Sequence, residues 1–593
     1  MTRPVRRERP SARERDAAPS PSGAKAAFIS SDWAWIAGLS LAATGTTAAL
    51  STRLFGRVPH VQDSIAQLFQ ARIFAGGHLV APPPPIADFF QYHHVILSPE
   101  GWYSQYPPGH ALSLVPGVWL GIPWLINPLL GGLAVAAIYL LGLETFGRSS
   151  ARLAGLLALI SPFFLLMSAE MMAHSTTLAA LTSFLALHLR AARTGSRGAA
   201  VGSALALIWG ILARPYSAVG FVIPVAIFSV WNWARTRSPL ALGSFALGVA
   251  AGVVLLLGYN AATTGNPLVF GYEKLYGPSH GLGFEKGTWG PPHTLARGLT
   301  GFFGQIRALH DRLFAWPFGS LWPLLIGVLS LSAMFRKRRA RASRGVQRGR
   351  RGGALDEPVA SVDRSARRPE PNDASFRWLL LAIPLSLGLV HVFYWYRDQC
   401  FGPRYWFEGL GAMLLLSAVG LLRLRTWIAA GFGKAGIRNP VRAAAVSNLV
   451  WVVLLVLAAF SGFAYGWPPL FRPPDYAVGQ PPESPYRQAS YFTHFSPQYW
   501  GVDAALGRIV ARGVEPPALV FCAMIEEPID DIAARYLWFG SAFAHQDPFL
   551  ESSEVIYAHD LGARNAELIS LFPNRRVYRY TGSIQSGTVT QIQ

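Results

Sequence analysis

Apolar residues do not alternate with polar ones along most of this chain; they run together. The stretches 33–50, 129–146, 153–168, 173–189, 199–213, 217–233, 240–258, 314–335, 376–396, 408–422 and 444–465 are nearly free of charge. Each approaches the roughly 17–25 residues that a helix needs to cross a bilayer. The pattern predicts an α-helical polytopic membrane protein with about eleven transmembrane helices. Between the first two runs the period changes. Ile65, Leu68, Phe69 and Ile73 recur at helical spacing until Gly76 and Gly77 stop them, and Ser64 and Gln67 have the spacing of a capping box. An amphipathic helix is therefore expected, with Asp63 at or just before its start. Past residue 466 the chain is Pro-rich to 485. The pattern then predicts helices over 502–512, 529–543 and 563–572 alternating with strands over 518–525, 555–559 and 576–580, a small α/β domain with a partly parallel sheet.

Composition agrees with the pattern. Of 593 residues, 51% are hydrophobic and 14% charged, against about 25% charged in soluble domains. The net charge of +20 would fit a nucleic-acid binder if it were spread over a folded surface, but its placement excludes that reading. Residues 466–593 hold nine Arg, no Lys and thirteen Asp or Glu, a balance of −4. The positive charge sits in the N-terminal tail, at Arg148 and Arg152, at Arg190, Arg193 and Arg197, at Arg235 and Arg237, in 336–351 and in 423–442. These are alternate loops, as the positive-inside rule requires.

The rule gives a multi-pass protein of the inner (plasma) membrane with a cytoplasmic N-terminus. It puts 51–108, Glu170, Arg214, 259–312, 397–407 and everything past 466 on the outer, periplasmic side. A full span at 111–125 would carry Arg148 and Arg152 outside, so that stretch should be a short re-entrant or surface-lying helix. The expected organisation is a disordered basic tail (1–30), a membrane domain (31–465) with outer loops 51–108 and 259–312 and a disordered cytoplasmic linker (336–375), and an outer-side α/β domain (466–593). The tail and linker suit contact with anionic lipid head groups. The first run lacks a small-residue cleavage site and reads as a retained span. Of the two cysteines, Cys522 lies in a strand-like apolar run and reads as a buried thiol.

Candidate chemistry gathers at the outer ends. Asp63 reads either as a helix cap or as a general base. Glu170, in SAEMMAHS, reads either as a solvated interfacial acid or as a second catalytic one. His174 is one helical turn further on. The outer-loop histidines His60, His78, His93, His94, His110 and His280 show no HExxH spacing, and loop 51–108 offers few carboxylates (Asp63, Asp88, Glu100). No metal and no other cofactor is expected, and a divalent cation is disfavoured. Glu526, Glu527, Asp530 and Asp531 read as a solvated helix start.

Five segments in order carry a family resemblance: Asp63 in the first outer loop, YPPG at 106–109, YNAATTGNPLVFG at 259–271, GPRYWFE at 402–408 and LFPNR at 571–575. Together they resemble the GT-C superfamily of membrane glycosyltransferases, specifically the bacterial relatives of protein O-mannosyltransferases and of lipid A aminoarabinose transferase. The resemblance spans nearly the whole chain. It implies transfer of a sugar, with inversion, from a polyprenyl-phosphate donor to an unknown acceptor at the outer face, with membrane lipids as surroundings. It also implies an acidic residue of the first loop as base. Where the family commonly has an Asp-Glu pair, this chain has Asp63-Ser64, so any two-acid version is in doubt, and Glu170 is the candidate second acid.

For such a reaction Arg404, beside Tyr405, suits a clamp on the departing phosphate, as do Arg214 and His174. The loop 259–312 is too long for a passive connection and suits an ordered lid, bringing Tyr272, Tyr276 and His280 with Tyr106 to the acceptor path. A transporter or flippase of lipid-linked sugars would be expected to show an inverted repeat and mid-membrane polar pairs. Neither is visible, and a non-catalytic envelope scaffold is the third reading.

Overall fold

The computed structural model describes residues 21–288, 290–331, 374–396, 400–434, 439–466, 502, 504–524, 539–582 and 587–593. Ten of the eleven apolar runs lie mostly on helix, and of 314–335 only 322–331 does: 33–50 is on α1 (Pro21–Arg53), 129–146 on α4 (Ile126–Thr145), and 153–168 on α5 and α6 (Arg148–Ile160 and Pro162–Ala169). The next four lie on α7 (Ala173–Thr194), α8 (Arg197–Ala213), α9 (Pro215–Thr236) and α10 (Leu240–Thr264). After α11 (Gly271–Tyr276) and α12 (Leu295–Arg312), the remaining runs form α13 (Trp322–Leu331), α14 (Ala374–Val390), α15 (Leu410–Lys434) and α16 (Pro440–Gly466).

By length and composition, five helices among the described residues qualify as spans unaided: Pro123–Thr145, Pro215–Thr236, Leu240–Thr264, Phe376–Phe393 and Arg404–Phe432. The α5–α6 pair has the length and composition of a further span if taken together, and is bent by 66° where Pro162 enters at the first position of α6 and the Ser161 hydroxyl caps the Phe164 amide. The protein is a multi-pass membrane protein.

The stretch expected not to cross is α3 (Pro108–Trp119), with a turn and a short 3-10 segment before α4. Twelve residues at about 1.5 Å each fall well short of a ~30 Å hydrocarbon core. Neighbouring helices pack as α1–α4–α7–α8–α10, with α14 on α9 and α15 on α5. One end of the bundle is tied by ion pairs of Asp32 with Arg148 and of Glu144 with Arg193. The other end carries the loops.

The first loop holds α2 (Gln62–Ala75) and a hairpin of β1 (Val95–Ser98) and β2 (Gly101–Ser104), antiparallel with Val95 opposite Ser104. The C-terminal segment forms a four-stranded sheet in the order β4-β3-β5-β6. Here β3 is Ala518–Met524, β4 Val555–His559, β5 Arg576–Gly582 and β6 Gly587–Gln591. The β3 strand runs parallel to β4 and β5, as expected, and β6 adds an antiparallel edge that the pattern did not show. Cys522 is buried in β3. Most of 529–543, the acidic cluster at 526–531, the basic tail before residue 21 and the linker between 332 and 373 lie outside the described residues.

The loop and the C-terminal domain share one hydrophobic core. Phe69 and Trp102 of the loop meet Phe543 with ring centroids 5.0 and 5.8 Å away, and Tyr92 stacks on it at 4.6 Å. Arg72 of α2 donates to the carbonyls of Ala544 and Gln546 at 2.6 and 2.9 Å. Phe549 fills the space beside Gly76, where a Cβ would stand 2.7 Å from its ring.

Candidate active site

The start of α2 is not held by a capping box. Its N-cap is Val61, whose side chain cannot cap, and Ser64 instead faces out of the helix toward Glu170. The Glu170 carboxylate accepts from the amides of His60 (3.0 Å) and Val61 (3.4 Å) with one oxygen and from the Ser64 hydroxyl (2.8 Å) with the other. It thus satisfies backbone donors at a helix start that would otherwise be orphaned.

Glu170 sits in a break between α6 and α7 that is itself pinned. Asn127 donates to the carbonyls of Glu170 and Met172, and His110 lies 2.9 Å from the Met171 carbonyl and 2.7 Å from the Thr176 hydroxyl. A chain of contacts therefore runs from α3 and α4 through Glu170 to the turn that carries Asp63.

Burial pushes the Glu170 carboxyl up to about 7, against the hydrogen bonds from Ser64, His60 and Val61. The sign of the linkage follows. With the folded value above the ordinary 4.5, the stabilising contribution is complete below about 4.5 and is lost as pH rises through about 7. Relative to Glu170→Gln, which stays neutral, the wild type should lose melting temperature between pH 5 and pH 8.5, by the equivalent of at most about 3 kcal/mol. Thermal unfolding of the two proteins at both pH values checks this, and a gap independent of pH would contradict it.

Asp63 occupies the second position of α2. One carboxylate oxygen accepts from the Tyr106 hydroxyl and the other from Arg404 Nη1 at 2.9 Å. Burial alone would raise this carboxyl. The Arg404 guanidinium, His94 and the Tyr106 hydroxyl outweigh burial and hold it well below the usual carboxylate range, so Asp63 is ionised at neutral pH.

Arg404 stands on a 3-10 turn, Arg404–Gly409, that opens α15. The turn is reached through Phe401 and Gly402, both at positive φ (54° and 148°). A Cβ at Gly402 would lie 2.5 Å from the Phe163 ring. Glycine is what lets the chain pass there.

Arg404 Nη2 donates to the Tyr405 hydroxyl at 3.2 Å, and the Tyr405 ring stacks on His391 with centroids 4.9 Å apart. On the same turn Glu408, fully buried, forms an ion pair with Arg214 Nε at 3.1 Å and faces His174 Nδ1 at 2.8 Å. His174 is thus packed behind Tyr405, its centroid 6.4 Å from that ring. Glu408 lies inside the GPRYWFE segment. Sequence reasoning drew only Arg404 and Tyr405 from that segment, although a carboxylate at the mouth of an apolar run was a signal in itself.

The 259–312 loop packs against the same place. Gly271 lies so close to Gln105 that a Cβ would stand 2.4 Å from its carbonyl oxygen. Tyr272 meets Tyr106 edge-on at 5.5 Å, and Tyr276 and Tyr272 stack on His280 at 4.7 and 6.2 Å. His94, in the left-handed region at φ 63°, lies with Nδ1 2.8 Å from Gln105 Nε2 and 3.2 Å from the Tyr276 hydroxyl. Burial pushes it down to about 4 against the pull of Asp63, so it is neutral at physiological pH.

The structure therefore brings Asp63, Tyr106, Arg404 and Tyr405 into direct contact. It joins Arg214 and His174 to them through Glu408 and closes the rim with Tyr272, Tyr276 and His280. Glu170 it places at the foot of α2. Among the described residues no three His, Cys, Asp or Glu side chains converge as metal ligands.

Residues 124–257 match the family described as dolichyl-phosphate-mannose-protein mannosyltransferase. That segment runs from α4 to α10 and carries Glu170, His174 and Arg214. Among solved structures, the chain is similar to ArnT from Cupriavidus metallidurans bound to undecaprenyl phosphate, at 14% identity and TM-score 0.48, over 92% of this chain and 93% of that one. It is also similar to the oligosaccharyltransferase of Archaeoglobus fulgidus in its apo form, at 13% identity and TM-score 0.43, over 91% of this chain and 69% of that one. No curated protein matches. The similarity to the O-mannosyltransferase family is thus carried by residues 124–257.

Proposed function

We propose that this protein transfers a sugar from a polyprenyl-phosphate donor to a hydroxyl-bearing acceptor at the outer, periplasmic face of the inner membrane, with inversion at the anomeric carbon. The observation that carries the reading is the Asp63 carboxylate, shared between Tyr106 and Arg404 and roofed by the loop 259–312, at an end of an apolar bundle. It sets a base beside the Arg404 guanidinium, with Arg214 against the same Tyr405 ring. The donor class is supported by the matched family, whose description names a polyprenyl-phosphate sugar.

In the proposed step the acceptor oxygen bonds to the anomeric carbon and its proton passes to Asp63. The bond from anomeric carbon to phosphate oxygen breaks, and the electron pair leaves with the polyprenyl phosphate. The charge of the phosphate needs a fixed cation held away from water, and Arg214 and Arg404, both against the Tyr405 ring, are the two at hand. Glu170 is proposed as a positioning residue: its oxygens are occupied by the turn that aims Asp63.

Mass spectrometry of envelope glycans and glycolipids from cells with and without the gene tests the proposal. The expected result is an acceptor lighter by one sugar residue in cells lacking the gene, and identical envelopes would refute it.

A further inference from the structure

The two guanidiniums of the site are not equivalent. Both lie against the Tyr405 ring, their central carbons 5.1 Å (Arg404) and 5.9 Å (Arg214) from its centroid. Arg404 uses Nη1 on Asp63 and Nη2 on the Tyr405 hydroxyl. Arg214 is held the other way round. Its Nε faces Glu408 at 3.1 Å and the Ser217 hydroxyl at 3.4 Å, and among the described residues Nη1 and Nη2 have no hydrogen-bond partner.

The terminal pair of nitrogens is what grips two oxygens of one phosphate. Glu408 is itself immovable. It is wholly buried, and the carboxylate oxygen that takes Arg214 also faces the buried His174. Removing Arg214 would strand a charge without water, which costs several kcal/mol.

We propose that Glu408 is a positioning residue. By engaging Nε it fixes Arg214 with both terminal amino groups presented to the phosphate of the lipid donor, and Arg404 stays with Asp63. This rests on the donor class proposed above and divides the work within it: Arg214 binds phosphate and Arg404 orients the base. Glu408→Gln keeps an acceptor oxygen for His174 and Arg214 but removes the charge that holds the guanidinium.

The test uses the purified full chain in detergent and a C55 polyprenyl monophosphate, which carries no sugar and so reports binding without reaction. Affinity is read from the rise in melting temperature and compared with kinetics on a lipid-linked sugar donor. Glu408→Gln should weaken polyprenyl phosphate binding and raise donor KM by about tenfold with kcat within about threefold, as expected when ground-state binding is lost. Arg214→Gln should do the same or more, and the double variant should be no worse than Arg214→Gln alone. Arg404→Lys should leave phosphate affinity within about threefold and lower kcat.

Wild-type affinity in Glu408→Gln, additive losses in the double variant, or phosphate affinity that follows Arg404 and ignores Arg214 would each overturn the proposal. If Glu408→Gln does not fold, Glu408→Asp, which keeps the charge but draws it back from Nε by one methylene, takes its place and should weaken polyprenyl phosphate binding in the same way. Polyprenyl phosphate held through Arg214 without transfer from any lipid-linked donor would defeat the glycosyltransferase reading and leave this one standing. Transfer with phosphate affinity indifferent to Arg214 would do the reverse.

Discussion

Asp63→Asn is expected to lower kcat by about 10²-fold or more, the range typical of losing a general base. The amide keeps the size of the side chain and an oxygen for Arg404 and Tyr106, but it no longer accepts a proton. Because Asp63 is also the counter-ion of Arg404, a fall in activity by itself would not separate a lost base from a displaced arginine. The binding of polyprenyl monophosphate does. If Asp63 is the base, the variant should bind that lipid as the wild type does and fail at turnover. If Asp63 serves only as the counter-ion of Arg404, kcat should survive, and the freed guanidinium beside Tyr405 should change that affinity. Full turnover by purified Asp63→Asn would sink the proposed mechanism.

Phe543→Ala is expected to cost about 3–5 kcal/mol, the range for emptying a large buried aromatic site, and to disable transfer although the residue is in another domain. Its ring is the meeting point of Phe69 on α2, Trp102 on β2 and Tyr92 beside the hairpin, so the cavity would open under the helix that aims Asp63. Limited proteolysis should show new cleavage in the first loop at temperatures where the bundle remains folded. A variant that melts earlier but turns over normally below its melting point would show that the shared core is not what sets the site.

The helices of the bundle were legible because a bilayer imposes one simple rule, a long uncharged run, and ten of the eleven runs lie mostly on helix, whereas 314–335 opens with turns and is helical only over 322–331. The helix α2 was legible for a related reason: Ile65, Leu68, Phe69 and Ile73 mark one face at helical spacing, and all four are buried. Its cap was not. Ser64 and Gln67 have capping-box spacing, yet Ser64 hydrogen-bonds to Glu170, 106 positions away, and local spacing says nothing of a partner so distant. The hairpin 95–104 was missed because its residues face both the C-terminal domain and the helix α2, so all of β2 is buried and no alternation appears.

Asp63, Arg404 and the lid tyrosines could be picked out by residue type at loop positions. That Asp63 meets Arg404, or that Glu408 bridges Arg214 and His174, depends on how helices from four parts of the chain are placed, and no periodicity encodes that.

The shared core also has a history within each molecule. Arg72 is synthesised 472 residues before Ala544, the carbonyl it needs. At about 5–20 residues per second, that interval is on the order of half a minute to a minute and a half. Throughout it, α2 is already in place beside the membrane while its buried guanidinium lacks acceptors and Phe69 and Trp102 lack Phe543. The bundle can thread and pack during translation, but α2, which bears Asp63, gains these partners only once residues 543–546 have been made. A chain that stops short of Phe543 is therefore expected to insert and yet to hold Asp63 on an unsupported helix.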